Sequence, residues 1–101
     1  MEEISLRGFD DLDEKEIDII KKIVLNRIKK IKIPYQFLVI NLKKHEHKYK
    51  HQTRITHELN ADLFFSKGKA IAAKSEDTNL YKALEELLEK IIAETKHKFK
   101  K

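Results

Sequence analysis

Residues 78–92 read Thr78-Asn79-Leu80-Tyr81-Lys82-Ala83-Leu84-Glu85-Glu86-Leu87-Leu88-Glu89-Lys90-Ile91-Ile92. Leu80, Leu84, Leu87, Leu88, Ile91 and Ile92 recur at steps of three and four, which predicts an α-helix with these side chains on one face. Asp77, Thr78 and Asn79 precede it, and any of the three can accept hydrogen bonds from the unpaired amides of the first turn. Lys82, Lys90, Lys96 and Lys98, then Lys100 and Lys101, put positive charge off the apolar face and into the tail. One face suits a core, and the other suits solvent or an anion.

The preceding residues predict the layer this helix covers. From Gln52 to Phe65, Ile55, His57, Leu59, Ala61, Leu63 and Phe65 share one parity, and Thr56, Glu58, Asn60, Asp62 and Phe64 share the other, as in a strand. Ser66-Lys67-Gly68-Lys69 is a hairpin turn in which Gly68 can take a positive φ. Ala70 to Lys74 returns as a strand of small residues that lets a helix approach closely. Tyr35 to Leu42 is apolar on both parities and marks a central strand, whereas Lys43 to His51 is basic, without a core pattern, and reads as a mobile hairpin. Asp13-Glu14-Lys15-Glu16 is a capping box. It opens a helix with Ile17, Ile20, Val24, Ile28 and Ile31 on one stripe, broadened by Ile23 and Leu25 and ended by Pro34. Ile4-Ser5-Leu6-Arg7 alternates as a short strand closed by Gly8.

The order is β-α-β-β-β-α, an α+β fold with two helices on one face of a four-stranded sheet. The first strand, helix and second strand form one crossover, so those two strands should run parallel. With 101 residues, 1–101 are expected to form a single domain around one core. There are no cysteines, no apolar run is long enough to span a bilayer, and Met1-Glu2-Glu3 lacks the basic start of a signal peptide. A cytoplasmic protein without membrane contact is the expectation.

Charge carries the functional information. The chain has 22 Lys and Arg against 17 Asp and Glu, for a formal net charge of +5. The acids gather in residues 2–18 and 76–94, and the stretch between, Lys21 to Lys74, is strongly basic. Such asymmetry favours a polyanionic partner, RNA or DNA, over a merely solvated surface. Glycines are confined to Gly8 and Gly68, so no phosphate-cradling loop exists, and no serine nucleophile motif appears. No enzyme activity and no cofactor are expected.

Three strings carry a resemblance. Ile4-Ser5-Leu6-Arg7-Gly8, then Phe64-Phe65 with Ala70-Ile71-Ala72-Ala73, and above all Asn79-Leu80-Tyr81-Lys82-Ala83-Leu84 are similar to the ribosome hibernation-promoting factor family. Its members are also called ribosome-associated inhibitor, protein Y or sigma-factor modulation proteins. Leu87, Lys90 and Ile91 keep the family's helix pattern, and Lys96-His97-Lys98 resembles its basic ending. Asn79 stands where the family has Asp, which keeps a cap but loses a charge. The resemblance implies a fold like that of double-stranded RNA-binding domains. It also implies a short form that binds the small ribosomal subunit and its rRNA where tRNA and mRNA would sit, silencing idle ribosomes under stress.

The candidate RNA-binding cations fall in three groups. Lys22, Arg27, Lys29 and Lys30 flank the first helix; Lys82, Lys90, Lys96 and Lys98 flank the second; Lys43, Lys44, Lys48 and Lys50 lie in the basic segment with Tyr49. The helices should gather theirs around a shared outer surface that meets successive phosphates. Charge beside an exposed aromatic suits stacking on an unpaired base or clasping a backbone. His45 and His47 project one way from a strand and His51 or His57 could add a ligand, but spacing alone does not assemble a zinc site, and no metal is assigned. His57 reads as a hydrogen-bonded core histidine. Phe64 puts apolar surface on the helix-free face, which suits the alternative of a small homodimeric interaction module; a general double-stranded RNA binder is a third reading. The expected oligomeric state is monomer or weak homodimer.

Overall fold

The computed structural model describes residues 3–98, so Lys100 and Lys101 of the basic tail lie outside it. Strand β1 spans Glu3–Arg7, helix α1 Glu14–Ile28, β2 Phe37–Tyr49, β3 Gln52–Phe64, β4 Ala70–Asp77 and α2 Leu80–Lys98. A short 3-10 turn at Ser66–Gly68 joins β3 to β4, and Gly68 there has φ 77°. The sheet order is β1-β2-β3-β4, with β1 parallel to β2 and the other pairs antiparallel. The α+β order and the parallel first pair agree with the expectation from sequence.

Alternation assigns the faces. Leu38, Ile40 and Leu42 of β2 pair across with Leu63, Ala61 and Leu59 of β3, and all six are buried on the helix side. Ile71, Ala73 and Ser75 of β4 extend that face. Against it α1 buries Ile20, Val24 and Ile28, and α2 buries Leu80, Ala83, Leu84, Leu87, Leu88 and Ile91. Fully burying one such Leu or Ile contributes about 1.5–3 kcal/mol. Of the alanines in β4, only Ala73 lies beneath the helices. Ala70 and Ala72 are exposed on the other face, and Ser75 takes the close approach, its hydroxyl donating to the Ala83 carbonyl at 2.6 Å.

Local chemistry fixes the ends. Asp13 caps α1 by accepting from the Glu16 amide at 2.8 Å. Asn79 caps α2, its Oδ1 accepting from the Tyr81 and Lys82 amides at 2.9 and 3.2 Å. Such caps are worth about 1 kcal/mol each. Helix α1 ends at Ile28, six residues before Pro34. The Lys30 and Ile31 amides instead close short turns onto Arg27 and Ile28, and a segment without regular structure leads to β2. Gly8 has φ 81°, and a Cβ there would sit 2.3 Å from the Leu42 carbonyl oxygen, so the chain crosses β2 where no side chain fits.

The largest departure from expectation is the basic segment. Residues 43–49 continue β2 and pair with β3 up to Tyr49↔Gln52, leaving only Lys50 and His51 as the turn. Backbone pairing with β3 satisfies these residues without apolar side chains. Strand β1 ends opposite Asn41 and β4 begins to pair at His57, so His45–Thr56 is a two-stranded ribbon beyond the layered body, rooted at Lys43 and Lys44 where β4 still pairs with β3. It reaches roughly 20 Å at about 3.3 Å per residue, consistent with the elongated 53 × 28 × 20 Å envelope.

Candidate nucleic-acid interface

A two-stranded ribbon is marginal by itself, so what anchors this one matters. At its root His57 Nδ1 lies 3.0 Å from the Thr78 carbonyl, and the Thr56 hydroxyl donates to Glu76 at 3.0 Å. Lys44 approaches Asp11 at 3.9 Å. His57 is half-buried and hydrogen-bonded, at the rim of the core rather than within it.

The ribbon concentrates positive charge. From Lys43 to its cross-strand partner Glu58 stand Lys43, Lys44, Lys48, Lys50 and Arg54 against two carboxylates, Glu46 and Glu58. Lys43 and Arg54 project to the helix-free face and Lys44 and Lys48 to the opposite one, because strand side chains alternate. Lys43, Lys48, Lys50 and Arg54 are exposed and make no ion pair within the described residues. Lys50 holds φ 43°, an uncommon conformation for a non-glycine residue that turns the chain within two residues.

Cations on the helices are distributed differently. Arg27 is ion-paired to Glu85 across the two helices and is half-buried. Lys90 Nζ donates to the Lys74 carbonyl at 2.7 Å and Lys98 Nζ to the Ala70 carbonyl at 3.0 Å, so both lie along β4 at the sheet edge. There they occupy backbone acceptors that an edge strand would otherwise offer to another chain. Lys22, Lys29, Lys30, Lys82 and Lys96 are exposed, with Asp18, Glu86 and Glu89 interspersed on the same helices. Of the cations read from the sequence, Lys22, Lys29, Lys30, Lys82 and Lys96 are thus exposed without an ion pair or backbone partner on a surface mixed with acids. Lys43, Lys48, Lys50 and Arg54 are so on the ribbon and its root, where Glu46 and Glu58 are the neighbouring carboxylates.

The helix-free face at the ribbon's base carries a polar network that crosses three strands. Asn60 donates to Glu58 at 2.7 Å, His45 Nε2 lies 3.1 Å from Glu58, and Lys74 lies 3.7 Å from it. His47 Nε2 approaches the Thr56 hydroxyl at 3.3 Å. The Asn60 amide foremost, then His45 and Lys74, hold the Glu58 carboxyl below its ordinary pKa, against an opposing effect of desolvation. Asp77 is lowered in the same way, chiefly by the Asn79 amide and secondarily by Lys82.

His45 and His47 share one face, but His57 points to the other, and no three acidic or histidine side chains converge on a metal-sized site among the described residues. Arg54 is absent from the three groups of cations read from the sequence. Its signal was its parity: it shares a face with Thr56 and is registered opposite His47. Farther along the helix-free face, Phe37 and Phe64 pack with ring centroids 4.5 Å apart, and Phe37 remains 39% exposed.

Two solved structures share the architecture. A ribosomal subunit interface protein from Coxiella burnetii superposes with a TM-score of 0.67 at 15% identity, over 100% of both chains. The N-terminal domain of Protein Y from Thermus thermophilus gives 0.54 at 15% identity, over 94% of this chain and 93% of its own. No protein-family model and no curated protein matches the sequence. At this identity the likeness establishes a common fold. No described helix is long and apolar enough to cross a membrane.

Proposed function

We propose that this protein is a relative of the hibernation-promoting factors that binds the small ribosomal subunit and silences idle ribosomes by occupying the tRNA and mRNA channel. The observation that carries the reading is a ribbon whose Lys43, Lys48, Lys50 and Arg54 are exposed and hold no carboxylate, on a fold shared end to end with a ribosomal subunit interface protein. A ribbon with cations on both faces suits insertion between two rRNA segments, since each face can meet phosphates. Lys43, Lys44, Lys48, Lys50 and Arg54 would supply that grip, with Lys22, Lys29, Lys30, Lys82 and Lys96 holding the flanking RNA. Arg27, Lys90 and Lys98 fasten the fold and contribute positive potential at longer range. The mechanism is occupancy by a monomer or weak homodimer in the cytoplasm, with no bond made or broken.

Sedimentation with purified ribosomes tests this. Co-migration at low salt that is lost as salt rises supports it, because phosphate contacts release counterions. A second reading, a homodimer formed through the helix-free face, is favoured by the exposed Phe37–Phe64 pair. A stable dimer that fails to migrate with ribosomes at any salt would select it.

A further inference from the structure

On the helix-free face of the ribbon, His45, His47 and Tyr49 occupy alternate positions of one strand, and Arg54 sits opposite His47. We infer that this row of rings is a stacking platform for unpaired RNA nucleotides, so that the ribbon grips single-stranded rather than duplex RNA. The inference rests on the RNA-binding reading above and narrows its ligand.

Spacing is the first support. Same-face positions on a strand stand about 6.6 Å apart, roughly two base-stacking intervals of about 3.4 Å, which leaves room for one base between successive rings. Orientation is the second: His45 is held by Glu58 and His47 by Thr56, so two rings are positioned before any ligand arrives. The third is exposure. Tyr49 is 61% exposed at the end of the ribbon and its side chain makes no hydrogen bond or ring contact within the described residues, so its ring is available to a partner. Arg54 lies diagonally across from Tyr49, within reach to meet the phosphate of the same nucleotide or to stack beside its base. Duplex RNA offers no splayed bases to such a row, whereas a single strand offers one π-face per nucleotide.

The test uses the full chain with three labelled probes, an eight-nucleotide oligo(U), an eight-nucleotide oligo(A) and a duplex RNA of equal length, read by fluorescence anisotropy. Tyr49→Ala removes the ring without changing charge, and Tyr49→Phe keeps the ring. Neither touches the core. The expected result is an affinity for both single strands that falls at least about fivefold in Tyr49→Ala, the low end of a stacking contact, and returns in Tyr49→Phe. Duplex affinity should be the same in all three proteins. Equal single-strand binding by wild type and Tyr49→Ala would overturn the platform, as would duplex affinity that falls in step with single-strand affinity. Ribosome pelleting by the same wild-type sample separates the two proposals. Tyr49-dependent oligonucleotide binding without pelleting upholds the platform and removes the ribosome reading. Pelleting with no effect of Tyr49 on oligonucleotide binding does the reverse.

Discussion

Neutralising the ribbon is the perturbation with the most readily calculated consequence. Lys43, Lys48, Lys50 and Arg54 are exposed and none holds a carboxylate, so replacing all four with Gln removes charge without breaking an ion pair. Each phosphate contact contributes about 0.7–0.9 to the slope of log affinity against log salt. If all four meet phosphates, the variant's slope is shallower by roughly 3 to 3.5. Across a fourfold rise in salt the wild type would then lose about 50- to 150-fold more affinity than the variant. Sedimentation or anisotropy with small subunits, run as a salt series at one fixed pH, measures both slopes. An intact fold should be checked by circular dichroism. Matching slopes would show that the ribbon does not meet phosphates, and the grip would then belong to the helices.

Two further outcomes follow from the packing and the polar network. Gly8→Ala should cost roughly 2–5 kcal/mol, from about 1–2 for a left-handed residue and about 1–3 for displacing the strand that its Cβ would strike. Urea unfolding measures it, and a loss below about 1 kcal/mol would mean the Gly8–β2 approach is looser than described. Glu58→Gln tests the network. The folded carboxyl is held below its ordinary pKa, so its stabilising effect is present at neutral pH and disappears as pH falls below 4.5 through the folded value. The wild type should melt above the variant near neutrality, with the gap closing in acid. A gap that stays constant or widens in acid contradicts the assignment.

The periodic elements were legible because local chemistry and burial agree there. The Asp13 and Asn79 caps, the apolar stripes of both helices, the parity of β3 and the positive φ of Gly68 each followed from a residue type in a known position. Pro34 misled because α1 stops at Ile28, where the Lys30 and Ile31 amides turn to tighter three-residue bonds, although Ile31 and Ile33 still pack against the core before the proline is reached. Residues 43–49 read as a basic hairpin without a core pattern; the hairpin is present, but its continuation of β2 is set by pairing with β3, which leaves no hydrophobic pattern. Phe9 and Tyr35 are buried from connecting segments, where periodicity carries no information. At the site, the charge was visible in composition. Its partition was not, since the Glu85 partner of Arg27 and the carbonyl partners of Lys90 and Lys98 lie at least 16 residues away in sequence.

The most direct measurement is competition on the isolated small subunit. Labelled protein is bound to small subunits, and tRNA together with a short mRNA is added in excess. Occupancy of the channel predicts displacement as the two RNAs bind, and no comparable binding to isolated large subunits. Simultaneous binding of protein, tRNA and mRNA to one small subunit would contradict it.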